Sequence, residues 1–160
     1  MKTIVIFYSL EGNTKEAAKQ IAQKMDSAIL ELKPEKEIPG SGALKFMKGG
    51  MQALFGNCPK LKPLDFDKDA YDQIILGTPI WAGECAPAIR SFLKQYQVSD
   101  KVKAVFTTSG GGDNDKCIAW IKKKLPNLKE TVALADRNNP ISEKNQEKID
   151  EFVEKIVNGK

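Results

Sequence analysis

The chain has 160 residues, 41% of them apolar, enough for one compact core and too few for two comfortable domains, so 1–160 is read as one domain. Its 25 basic and 21 acidic residues leave a net charge of +4, a mixed surface rather than the concentrated polycation that a nucleic acid partner selects. With no histidine, the chain lacks the usual general base, the Ser/His and Cys/His nucleophile pairs and the commonest metal ligand; its chemistry is expected to be a cofactor's, with no catalytic side chain and no metal site.

The first apolar run, Thr3 to Tyr8, breaks at Ser9 and Glu11, too soon for a signal-peptide core or a membrane span. Further β-branched or apolar runs follow at Ala28 to Leu32, Gln73 to Thr78, Val102 to Thr108 and Thr131 to Ala135. Runs that are apolar throughout, rather than alternating, predict strands covered on both faces. The helix-length segments between them predict parallel crossovers. The pattern is α/β: a five-stranded parallel sheet between two helical layers.

The first helix is predicted from Ala17, Ala18, Ile21, Ala22 and Met25, whose small residues let it lie close to the sheet. Amphipathic segments at about 85–96 and 115–125 predict two more. At the C-terminus Ile149, Phe152, Val153, Ile156 and Val157 form one stripe, with Ser142 a candidate N-cap and Gly159 a terminator. The Gly- and Pro-rich excursion 38–63 is long for a plain loop and could hold an interrupted helix within 43–55. Three cysteines, Cys58, Cys85 and Cys117, lie outside any CxxC, which suits a reducing cytoplasm; Cys85 and Cys117 read as small buried hydrophobes. Lys122, Lys123 and Lys124 read as a solvated helix end.

In an open α/β sheet, ligands bind beyond the carboxyl ends of the strands, where the strand order reverses. After strand one, Ser9-Leu10-Glu11-Gly12-Asn13-Thr14 places hydroxyls, an amide and a glycine at a helix start. That arrangement cradles an oxyanion, although the same residue types are also ordinary helix starters. Glu11 would repel an anion and is expected to face solvent. The stretch after strand three, Thr78-Pro79-Ile80-Trp81-Ala82-Gly83, puts a tryptophan where it could cover a planar ligand or pack on the excursion. After strand four, Ser109-Gly110-Gly111-Gly112-Asp113 brings bare backbone near a ligand or forms a flexible turn. There is no GxxxxGK[ST], which excludes a nucleoside-triphosphate loop, and strand one ends without the acidic pair of a phosphoacceptor domain.

Together, Ser9-Leu10-Glu11-Gly12-Asn13-Thr14, Gly77-Thr78-Pro79-Ile80-Trp81 and Ser109-Gly110-Gly111-Gly112-Asp113 resemble, in order, the three FMN loops of the flavodoxin family. The resemblance implies strand order 2-1-3-4-5, for which flavodoxin is the standard example. It implies FMN as cofactor, with Ser9 to Thr14 on the phosphate, Thr78 to Gly83 along the isoalloxazine and Ser109 to Asp113 closing its other side. The implied role is electron transfer between redox partner proteins; the alternative is an NAD(P)H-dependent FMN or quinone reductase. The chain departs from the family's usual acidic balance, and its third loop lacks the aromatic that many members stack on the flavin.

Overall fold

A computed structural model describes residues 1–38, 48, 51 and 56–159. The elements, in chain order, are β1 (Thr3–Phe7), α1 (Asn13–Lys24), β2 (Ala28–Glu31), β3 (Gln73–Trp81), β4 (Glu84–Cys85), α2 (Pro87–Tyr96), β5 (Val102–Ser109), α3 (Asp115–Lys122), β6 (Glu130–Ala135) and α4 (Asn145–Asn158). The helix expected within 43–55 lies almost wholly outside the described residues.

The sheet runs β2-β1-β3-β5-β6, all parallel, with β4 pairing antiparallel to the end of β3. Leaving β4 aside, this is the expected 2-1-3-4-5 order. Successive side chains along a strand point to opposite faces, so the sheet buries two separate cores. Ile4, Ile6, Ile74, Leu76 and Val105 pack with Ile89, Phe92, Ile118 and Ile121 on the α2/α3 side. Val5, Phe7, Ile75, Ala104 and Phe106 pack with Ala18, Ile21, Ile149 and Phe152 on the α1/α4 side. This is the three-layer arrangement that the apolar runs predict.

The structure corrects four details. The expectation that every strand is covered on both faces holds for β1, β3 and β5 but not for the edge strand β2, where Ile29 is 43% exposed. Strand β3 does not stop at Thr78; it continues to Trp81 because the hairpin pairs Ile80 with Cys85 and Trp81 with Glu84. Both turn residues, Ala82 (φ 51°) and Gly83 (φ 79°), take the left-handed conformation of a tight two-residue hairpin. At the C-terminus Val157 leaves the buried stripe, and Ser142 lies in a 3-10 turn, Pro140–Lys144, capped by the Asn139 side chain. Asn145 then begins α4, its amide exchanging two hydrogen bonds with the Ala135 backbone (3.0 and 2.7 Å).

The excursion leaves and rejoins the sheet through a backbone ladder, with Glu35 N–H donating to Lys60 O and Lys62 N–H to Lys33 O, both 2.8 Å. Among the described residues no helix is long and apolar enough to cross a membrane.

Candidate functional site

The carboxyl ends of β1, β3, β5 and β6 converge on one cavity. The first loop lines it with Ser9, Leu10, Glu11, Asn13 and Thr14, and the end of β3 with Pro79, Ile80 and Trp81. Thr108, Ser109 and Asp136 complete the wall.

Gly12, at φ 95°, turns the chain from β1 into α1. The turn folds the backbone N–H groups of Gly12 and Lys15 onto a single oxygen, Ser9 Oγ, at 3.1 and 3.2 Å. First-turn amides have no partner within their own helix, and here two of them already converge on an oxygen acceptor. Glu11 is exposed yet also borders the cavity, so the expectation that it faces solvent is met only in part. Thr14 is buried and its hydroxyl shares a 2.7 Å hydrogen bond with that of Thr108, tying the first loop to β5. Asn13 Oδ1 accepts from the Arg137 N–H at 3.2 Å, so the amide oxygen is engaged outside the loop.

The second stretch divides by role. Thr78 is fully buried; its hydroxyl donates to Pro79 O and accepts from Ala86 N–H, fixing the strand end instead of facing the cavity. Pro79, Ile80 and Trp81 form the apolar wall, while Ala82 and Gly83 make the hairpin turn beyond it. Trp81 lines the cavity and meets the ring of Tyr8, at the end of β1, edge-on (centroids 5.6 Å, 86°). Burial raises the Tyr8 phenol well above its ordinary pKa and keeps it neutral. Behind the hairpin, Glu84 binds Arg90 (2.9 Å) and Lys116 (2.8 Å), and Arg90 lies 5.0 Å over the Trp120 ring. That cluster fixes the hairpin to α2 and α3.

In the third loop only Ser109 reaches the cavity wall. Gly110 and Gly111 face open space, where a Cβ would meet nothing within 4 Å, and Gly112 turns at φ 72°. The Asp113 carboxylate is turned to the N–H of Asp115 (3.1 Å), at the start of α3. Cys85 and Cys117 are both fully buried, and Lys122, Lys123 and Lys124 are exposed.

The loop after β6 is the part of the site that sequence reasoning missed. Its Asp136 N–H donates to Ser109 O (2.8 Å), and Asn139 Nδ2 donates to Gly110 O (2.6 Å). Burial, with the Glu11 carboxylate nearby, raises the Asp136 pKa above the ordinary carboxylate value. The folded chain therefore holds that proton more tightly than the unfolded chain, and stability falls as pH rises through the raised value. Asp136→Asn is expected to raise the melting temperature by roughly 1–2 °C at pH 7, with no gain once the pH lies below the unfolded carboxyl's value. Scanning calorimetry of both proteins at the two pH values checks this.

The arrangement can therefore hold an oxyanion at the start of α1 and a flat apolar group along Pro79, Ile80 and Trp81. The flavodoxin family model matches residues 2–156. Solved structures with the same fold include a Lactobacillus acidophilus flavoprotein in complex with FMN, 24% identical, covering 92% of this chain and 97% of its own, with a TM-score of 0.69. Oxidised flavodoxin 2 from Bacillus cereus is 19% identical over the whole of both chains, with a TM-score of 0.64. A Fusobacterium nucleatum flavodoxin bound to flavin mononucleotide is 17% identical over 99% of each chain, with a TM-score of 0.58. The chain belongs to the flavodoxin family.

Proposed function

We propose that this chain binds FMN in the cavity at the carboxyl ends of its strands and carries electrons between partner proteins. The observation that carries this reading is the first loop, where the N–H groups of Gly12 and Lys15 meet on one hydroxyl oxygen at the start of α1. A phosphate oxygen has the same acceptor chemistry and more charge, so it suits the same donors better. FMN is the ligand in the Lactobacillus and Fusobacterium structures, and its monoester and flat ring match the two halves of the cavity.

In this reading Ser9, Gly12, Asn13, Thr14 and Lys15 hold the phosphate, chiefly through backbone N–H groups and the Ser9 hydroxyl. Pro79, Ile80 and Trp81 would exclude water from one side of the ring, with Ser109 on the wall formed by the third loop. When bound, FMN supplies one- and two-electron redox chemistry. The protein sets the potential through backbone dipoles and desolvation around the ring. Carboxylates at Glu11 and Asp136 add negative charge on the same side of the sheet. No histidine is available as an acid or base, which suits electron transfer without proton-transfer catalysis on a substrate.

Mixing the FMN-loaded chain anaerobically with NADPH tests the carrier role. A carrier keeps its yellow colour over minutes with NADPH alone and bleaches with dithionite. Rapid bleaching by NADPH alone would contradict the carrier reading and identify a direct reductase.

A further inference from the structure

We propose that Arg137 supplies the cation of the phosphate site and thereby discriminates FMN from riboflavin, its uncharged parent; this rests on the FMN reading above. Arg137 lies two residues beyond β6 and reaches back to the first loop with both backbone and side chain. Its N–H donates to Asn13 Oδ1 at 3.2 Å, and its Nη2 donates to Glu11 O at 3.3 Å. Nη1 lies 3.9 Å from the point a Cβ on Gly12 would occupy, which places the guanidinium against the turn that opens α1. The loop that carries it is itself braced, because Ser142 Oγ donates to Arg137 O at 3.3 Å.

The charge balance gives this placement its consequence. Two carboxylates, Glu11 and Asp136, line the cavity that would receive a doubly charged phosphate, and both oppose its entry. Lys15, in the first turn of α1, is drawn away to Glu31 at 2.8 Å. Arg137 is joined to the loop through a neutral carbonyl and has no ion pair among the described residues, so its charge can offset the phosphate. A guanidinium with one N–H on Glu11 O keeps further donors in its planar fork. The side chain is exposed, so solvent screening limits the effect to about a factor of five.

A purely structural strap between the last and first loops would hold both flavins equally. The experiment is therefore a pair of fluorescence-quenching titrations, FMN and riboflavin, on the apo forms of wild type, Arg137→Gln and Arg137→Lys, at low and high salt. Loss of the cation in Arg137→Gln should weaken FMN about fivefold, leave riboflavin within about twofold and flatten the salt dependence of FMN binding. Arg137→Lys keeps the charge while losing the fork, and should recover most of the FMN affinity. Equal losses for both flavins, or an unchanged FMN affinity in Arg137→Gln, would overturn the proposal while leaving the FMN reading intact. A wild-type chain that takes up neither flavin overturns the FMN reading itself, and the role of Arg137 with it.

Discussion

Gly12→Val is expected to lower FMN affinity by about 100-fold while leaving the sheet folded. Gly12 sits at φ 95°, a conformation closed to a β-branched residue, although the space its Cβ would enter is open as far as Arg137 at 3.9 Å. The substitution is therefore a backbone problem, not a collision. Holding valine there costs about 1–3 kcal/mol, and the turn relieves that strain by moving to negative φ. Such a movement carries the N–H groups of Gly12 and Lys15 away from the point where they now meet on Ser9 Oγ. Losing two N–H donors to a charged acceptor, at about 1.5 kcal/mol each, corresponds to roughly the stated factor. Quenching titrations of wild type and variant check it, with the apo melting curve as control; unchanged affinity would remove the first loop from the site.

Gly77→Ala is expected to lower stability sharply although it adds only one methyl group. Gly77 lies in β3 opposite Phe106 of β5, and a Cβ there would fall 2.1 Å from Phe106 Cζ and 2.7 Å from both Cε atoms. The ring is fully buried under α1 and α4, beside Val5, Phe7 and Ile21 on the same face. No far end of a flexible chain is available to yield; the whole ring must shift within a close-packed layer. The cost is about 3 kcal/mol, at the upper end for overpacking, or a fall of roughly 6–12 °C in melting temperature for a chain of this size. Trimming the ring should relieve the clash, so Gly77→Ala/Phe106→Leu is expected to be more stable than Gly77→Ala alone. Denaturant melts of both single variants and the double variant measure that coupling, and simple additivity would contradict the ring contact.

Much of this was legible before the structure because the two strongest signals are local. Uninterrupted apolar runs marked β1, β3 and β5, which are the strands covered on both sides. The same kind of run in Ala28 to Leu32 could not reveal an edge position, since Ile29 looks alike whether a helix covers it or water does. Strand β4 is two residues long and carries no periodicity; only the positive φ at Ala82 and Gly83 makes the hairpin.

The site divides in the same way. Ser9, Asn13 and Thr14 stand out because a hydroxyl- and amide-rich turn after a strand is a chemical signature. Thr78 stands in a similar stretch and proves to brace Pro79 and Ala86 from within the core, a role that depends on β4 and so on the tertiary fold. Asp136 is not apparent from the sequence because the three glycine- and hydroxyl-rich stretches follow the first, third and fourth expected strands, not the fifth. The rule that ligands gather beyond carboxyl ends applies equally to β6, and the charged Asp136 directly after it was the available signal.

The most direct test of the central claim is an amide-resolved NMR titration of the isotope-labelled apo chain with FMN. The account predicts stoichiometric, saturating shifts at the amides of residues 9–15, 80–83 and 109–113, with the largest at Gly12 and Lys15. Unmoved amides in those loops, with shifts gathering instead at the opposite end of the sheet around the hollow of about 310 Å³ lined by Met1, Lys103 and Lys129, would contradict it.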